Sequence, residues 1–406
     1  MSAARSIDWD RARKLVAQRP DKINLNAGTL SPTPLPVLEA VTRLRELQAQ
    51  SPSDFHWRQT SKLLTRSRES LARYLNCATA ELVLLPNVTF AVNLVAQSLA
   101  RRELSSGDRV LMTDHEYGAM RYCWQRIAAE RGLHIDDLRL PYRTEDPDEI
   151  VEAFRAAVTP RTRVVFFSHG TTTTGLVLPA AKVVAALRAL DRDDLFIIID
   201  GAHAPGMVPV DLRAIGADFY GANCHKWMMA PAGAGFLHVA ARHQHLIEPL
   251  ITSWGWDYDR SRPNDESGWG GTFFHRNLEF NGTLDRCPQM VLPDLFDFRN
   301  DTLGGEESIR SRSQQIVDHA RRRLTACGFA PATPYIPELS GSIIAFDYPC
   351  DDVNWFRDAI WNDHHIECPV TTAVGQTFLR VSCGWFNTPE EVDRLADAAS
   401  ELRRKR

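Results

Sequence analysis

Between residues 82 and 240 the chain alternates short apolar runs with amphipathic stretches, and this alternation restricts the fold more than any other feature. The runs are "ELVLLPN", "DRVLMTD", "RVVFFSH", "LFIIID", "DFYGANC" and "AGFLHVA"; stretches such as "AVNLVAQSLARREL" and "PAAKVVAALRALDR" separate them. Strand and helix signals in turn imply a mostly parallel sheet with helices on both faces. Ligands of such sheets gather beyond the carboxyl ends of the strands. Asn87, Asp114, His169 and Asp200 fall at or just after such ends.

The remainder of the chain reads as support for that sheet. Residues up to about Ala17 are expected to be helical, and "NLNAGTLSPTPLP" follows as a loop. A helix then starts at Thr33-Pro34, with Val37, Leu38, Val41, Leu44 and Leu47 at helical spacing. The stretch 252–285 is rich in Gly, Trp and Asp and has no period, which suits a functional or interfacial loop. A helix over 309–327, the strand-like "GSIIAFDY" and "QTFLRVSCGWF", and a last helix capped by Thr388 with Pro389 at its first position predict a smaller α+β unit.

Composition narrows the class. The chain has 406 residues, 44% of them hydrophobic, enough for a large core and more than one domain. Its 47 basic and 51 acidic residues are well mixed, so no basic face for nucleic acid is expected. None of the eight cysteines forms a CxxC pair, which argues against a zinc knuckle or a thioredoxin-like motif. Adjacent His364 and His365 lack further ligands at metal-binding spacing, so no metal is expected. The charged N-terminus has no signal-peptide core, and no apolar run approaches the ~18 residues of a membrane span. These features predict a cytoplasmic enzyme with buried, reduced thiols.

The chemistry lies in "FIIIDGAHAPGMVPVDLRAIGADFYGANCHKWMMAPAGAGFL". Asp200 ends a buried strand, where a carboxylate persists as an anion only opposite a cation or strong donors. Lys226, beside Trp227 and small residues, is placed to lose hydration and become nucleophilic. Pyridoxal phosphate needs both at once: a lysine for its Schiff base and an acid against its pyridinium nitrogen. Asn87, Val88 and Thr89 open a helix whose free N–H groups and dipole suit a phosphate. His225 offers the same phosphate a charge-assisted contact.

This segment resembles the cofactor-lysine region of class V aminotransferase-fold enzymes, nearest to isopenicillin N epimerase-like proteins and their cysteine desulfurase relatives. The likeness runs from "NLNAGTLSPTP" to "FLRVSCGWFNTPEEV". It implies the α/β architecture of fold type I pyridoxal phosphate enzymes. An N-terminal segment 1–35 would pack on a small domain and the active site, a large cofactor domain would span 36–285, and a small C-terminal domain 286–406. Lys226 would carry the cofactor, Asp200 pair with its ring nitrogen, and His203 lie beside the ring as a proton-handling group. Val88, Thr89, Asn223 and His225 would serve the phosphate. Tyr117 falls where the family stacks an aromatic ring on the cofactor, the alternative being a buried core tyrosine. "FNGTLD" matches a stretch from which Thr283 would reach the phosphate of a neighbouring subunit, with Thr272 as its rival; a homodimer is implied. Arg380 in "FLRVS" matches the arginine that grips the substrate carboxylate, with Asn26, Gly28 and Thr172 expected near the substrate.

One departure from the family affects the reaction. Thr172, in "SHGTTTTGLVLP", stands where the desulfurases carry an Asn that helps hold substrate carboxylate and cofactor O3′. The four threonines are expected either to line the pocket or to form an ordinary turn. Among the C-terminal cysteines only Cys368 lies in a plausible loop, which ranks a desulfurase low. Trp254, Trp256, Trp269, Phe273 and Phe274 suggest a substrate larger than alanine with an apolar or flat portion. The resemblance favours a lyase of S-substituted cysteine, by C–S elimination or by decarboxylation with oxidative deamination, in antibiotic or other specialised metabolism. An amino-acid epimerase comes second. Aminotransferase, desulfurase and a non-catalytic cofactor-binding protein remain further alternatives.

Overall fold

Strand β1 (Ile23–Asn24) begins the pairing in the computed structural model, which describes residues 7–257 and 271–405. Seven strands then form the central sheet: β2 (Leu82–Leu85), β3 (Arg109–Thr113), β4 (His134–Leu138), β5 (Thr162–Ser168), β6 (Phe196–Asp200), β7 (Phe219–Asn223) and β8 (Gly235–Val239). Their order is β2-β8-β7-β6-β5-β3-β4. β8 runs antiparallel to both neighbours, and the other pairs are parallel. Every residue of β6 is buried, as expected for a strand covered on both faces. Its side chains alternate between two cores: Ile197 and Ile199 join one, Phe196 and Ile198 the other. β5 divides in the same way, Val165 and Phe167 against Val164 and Phe166.

The six apolar runs all become strands of this sheet. β4 was not anticipated, because "HIDDL" is polar and lies at the sheet edge. Its acids are matched to neighbouring cations: Asp136 pairs with Arg109, and Asp137 with Arg121 at 2.7 Å. Charged side chains of this kind discourage pairing with another chain at a sheet edge. Helix Thr60–Leu75 was also missed, although Leu64, Leu71 and Leu75 bury one face of it and Asn76 ends it in a left-handed conformation. The opening helix is shorter than expected, covering only Trp9–Arg13.

A second sheet comprises β9 (Ile343–Asp347), β12 (Gln376–Ser382) and β11 (Val370–Ala373), all antiparallel. β10 (Ile366–Glu367) pairs parallel with β1. Helices Gly305–Ala326 and Pro389–Arg404 contribute to the third core, and Thr388 and Glu391 form a reciprocal cap on the latter. The Ser382 N–H donates to the Leu25 carbonyl at 2.8 Å, which ties the N-terminal segment to the end of β12. Among the described residues no helix is long and apolar enough to cross a membrane. None of the eight cysteines forms a disulfide; five are buried and three partly buried.

Candidate functional site

A cavity of about 250 Å³ opens beyond the carboxyl ends of β5, β6 and β7. Asn87, Val88, Thr89, Tyr117, Thr172, Asp200, His203, Asn223, His225, Lys226, Arg380 and Gly28 all line it. Asn26 stands just behind, bonded to Arg380. Twelve of the fourteen anticipated positions therefore meet at one wall, with Asn26 as their support. Thr283 does not: it is exposed outside the cavity.

Asp200 is 2% exposed and accepts the Ala202 N–H at 2.8 Å. Burial raises its pKa, while that N–H and the Lys226 charge oppose the rise. Lys226 follows the end of β7 by three residues, and its Nζ lies 3.2 Å from His203 Nε2. Burial lowers the amine to about 8 and Arg380 adds to the effect, against the pull of Asp200. Close approach of two loops sets this geometry. Gly206 has φ +87°, and a Cβ there would meet the Trp227 backbone at 2.6 Å.

His203 is buried and held neutral, chiefly by desolvation and then by Lys226. The Trp227 indole N–H points at its Nδ1 from 3.4 Å. An indole only donates, so the ring proton belongs on Nε2, which faces Lys226 and the Thr172 hydroxyl at 3.2 Å each. The four threonines divide the two expectations between them. Thr172 lines the pocket and bonds His203, whereas Thr171 and Thr174 bond each other at 2.9 Å within a buried turn.

Arg380 is 4% exposed on β12. Its Nη2 donates to Asn26 and to Thr29 Oγ1 (2.9 Å), and its Nη1 to the Thr172 carbonyl at 3.3 Å. Its Nε is buried with no hydrogen-bond partner. Burial lowers its pKa, so the guanidinium gains from an incoming anion. Gly28 keeps the approach open: a Cβ there would stand 2.9 Å from Ser382 Oγ and 3.6 Å from His203 Cε1.

The residues expected to serve a phosphate differ in detail from expectation. The Val88 N–H is not free but donates to Asn223 Oδ1 at 2.9 Å, and the Phe90 N–H donates to the Asn87 side chain at 3.0 Å. Asn223 thus pins the start of helix Val88–Arg102 to β7, and Thr89 lies between the two engaged groups. His225 is held neutral, its pKa lowered to about 4 by burial and by Lys226, so it brings no charge of its own. Its Nδ1 is buried and has no hydrogen-bond partner in the structure.

Three other expectations change. Tyr117 is 50% exposed on the cavity wall, not a core tyrosine. Trp254 and Trp256 are exposed, Phe274 is buried in a core, and none of these or Phe273 lines the cavity; Trp269 lies outside the described residues. Cys368 is not in an open loop: it is buried, its Sγ donates to the Arg380 carbonyl at 3.3 Å, and burial raises its pKa strongly. Sequence reasoning missed Thr29, Ser168, Gly170 and Ala202 in the lining. For Ser168 the available signal was its position just before His169 at a strand end.

The donor set fits pyridoxal phosphate. A desolvated amine, a buried carboxyl, an unpartnered imidazole nitrogen and a helix start surround a cavity of suitable size. One consequence concerns the free protein. An aldehyde condenses with the unprotonated amine, so the capture rate should rise through pH about 8 and then level off. An ordinary lysine would keep gaining until about 10.4. Stopped-flow absorbance with added pyridoxal phosphate measures the midpoint, and a value near 10 contradicts the desolvated amine. In Asp200→Asn the midpoint should move lower, because the anion that favours the ammonium is gone.

Comparison with known proteins identifies the family and the fold. The family model described as aminotransferase class-V matches residues 23–395. An isopenicillin N epimerase of Amycolatopsis lactamdurans is 42% identical over 97% of this chain and 98% of its own. A putative L-cysteine desulfhydrase of Oryza sativa subsp. japonica is 31% identical over 93% of this chain and 82% of its own. Among solved structures, a C-DES variant with glycine covalently linked to its PLP cofactor superposes with a TM-score of 0.82 at 20% identity, covering 98% of this chain and 100% of that one.

Proposed function

The chain belongs to the class V aminotransferase family, and from that premise we propose that it is a pyridoxal phosphate enzyme that epimerises an amino acid at Cα. The observation that carries this reading is 42% identity to an isopenicillin N epimerase along nearly the full length of both chains. Pyridoxal phosphate supplies an electron sink for the bond broken at Cα. Lys226 would hold the cofactor, and its desolvated amine would be the base for the Cα proton. Asp200 would pair with the ring nitrogen, and Arg380 would hold the substrate carboxylate from the cavity wall. Epimerisation removes the Cα proton from one face and delivers one to the other, which a carrier on each face accomplishes directly. We assign the second to Tyr117, which lines the cavity together with Lys226.

Two arms test the reading. Isopenicillin N incubated in deuterium oxide should gain deuterium at one Cα and yield its epimer, with no carbon or sulfur released. An S-alkyl-cysteine that instead gives pyruvate and a free thiol would establish the lyase reading. The likeness to a cysteine desulfhydrase keeps that reading second. Its order is reversed from the sequence expectation because the epimerase relative is the more similar of the two. Tyr117→Phe should slow epimer formation by about 10²-fold or more while Lys226-dependent hydrogen exchange persists. Equal loss of both activities would remove Tyr117 from the role.

A homodimer is part of the proposal. Thr272 hydrogen-bonds His275 at 3.2 Å in a reciprocal cap on helix Phe273–Glu279, so its hydroxyl is already engaged. The exposed Thr283 is therefore the better candidate to reach a neighbour's phosphate.

A further inference from the structure

Glu116 is a carboxyl with no part in the chemistry above. It precedes Tyr117 and is held from two strands. Ser168 Oγ donates to its Oε2 at 2.7 Å, the Ser168 N–H donates to its Oε1 at 3.2 Å, and the Thr113 hydroxyl donates to Oε1 as well. Ser168 ends β5 directly beside Asp200 in the sheet register, and both line the cavity. Ser168 thus stands on the cavity wall beside Asp200 and bonds the Glu116 carboxyl behind it.

We propose that Glu116 is a positioning residue for the cofactor ring: through Ser168 it sets the hydroxyl orientation beside Asp200 and decides whether one or two negative charges sit there. The inference rests on the reading of this cavity as a pyridoxal phosphate site. When ionised, Glu116 accepts all three donors, which turns the Ser168 hydrogen away from the cavity and adds a charge that repels Asp200. When protonated, it donates to a neighbouring hydroxyl oxygen, and the Ser168 hydrogen is free to turn toward the ring. The two states present different electrostatic faces to the ring nitrogen.

Burial pushes the Glu116 carboxyl up to about 7; Thr113 and Ser168 oppose the shift, and the Asp200 charge adds to it. The other charged groups nearby are engaged elsewhere. Asp114 contacts His115 at 2.7 Å, and Arg121 holds the Thr113 carbonyl at 2.8 Å and Asp137 at 2.7 Å.

The test is a pH titration of the visible band of the holoenzyme, with borohydride fixation to Lys226 checked in each protein. The wild type should show a spectral step near pH 7 that Glu116→Gln lacks. Ser168→Ala should move the step upward by roughly half a unit or more, since a donor favouring the ionised form is lost, and should shrink it, since no hydroxyl is left to turn toward the ring. If Glu116→Gln does not fold, Ser168→Ala decides. A wild type without the step, or variants that titrate like the wild type, would overturn the role of Glu116 while leaving the cofactor site standing. Failure of the wild type to retain the cofactor at Lys226 would instead overturn the underlying reading.

Discussion

Lys226→Ala is expected to abolish covalent capture of the cofactor and to reduce turnover by about 10³-fold or more, because one amine serves as tether and as Cα base. The fold should survive the change. In the free protein burial lowers the Lys226 pKa from 10.5 to about 8, so its charged form is disfavoured on folding. That penalty is fully present below pH about 8, and apoprotein stability from this group rises as pH climbs from there toward 10.5. At neutral pH the alanine variant should therefore melt no lower than wild-type apoprotein. A variant that unfolds would show that the amine is structural, and one that keeps the visible band would move the attachment elsewhere.

The second large effect is expected at Arg380. Arg380→Lys should leave the cofactor spectrum unchanged and lower kcat/KM for the amino-acid substrate by about 10²-fold, mainly through KM. A lysine keeps the charge but loses the planar fork and the second donor edge. It also cannot reproduce the simultaneous contacts to Asn26, Thr29 and the Thr172 carbonyl. Truncating a buried, hydrogen-bonded charge contact costs about 2–5 kcal/mol, consistent with a loss of this size. Unchanged substrate saturation would show that the carboxylate binds elsewhere.

The legible and illegible parts of this protein differ in how far apart the cooperating residues lie. Six of the seven strands of the central sheet were readable because each is a largely apolar run, and Asp200 and Lys226 stood out as charges against such runs. The polar edge strand β4 carries no such signal. Arg380 became a candidate only through resemblance, since its partners Asn26 and Thr172 are 354 and 208 residues away. Glu116 and Ser168, separated by 52 residues, meet only once β3 and β5 pair. The engagement of the Val88 N–H by Asn223 was hidden for the same reason, because β7 must first lie against the helix start. The aromatic residues near 254 misled because composition reports neither which way a side chain faces nor what its turn packs against.

The chain contains six lysines, and Lys226 alone lines the cavity. Borohydride reduction of the holoprotein followed by peptide mass mapping therefore bears on the central claim directly. The account predicts one phosphopyridoxyl group per chain, on the peptide containing Lys226 and on no other. An unmodified Lys226 peptide, or a label confined to any of the other five lysines, would contradict it.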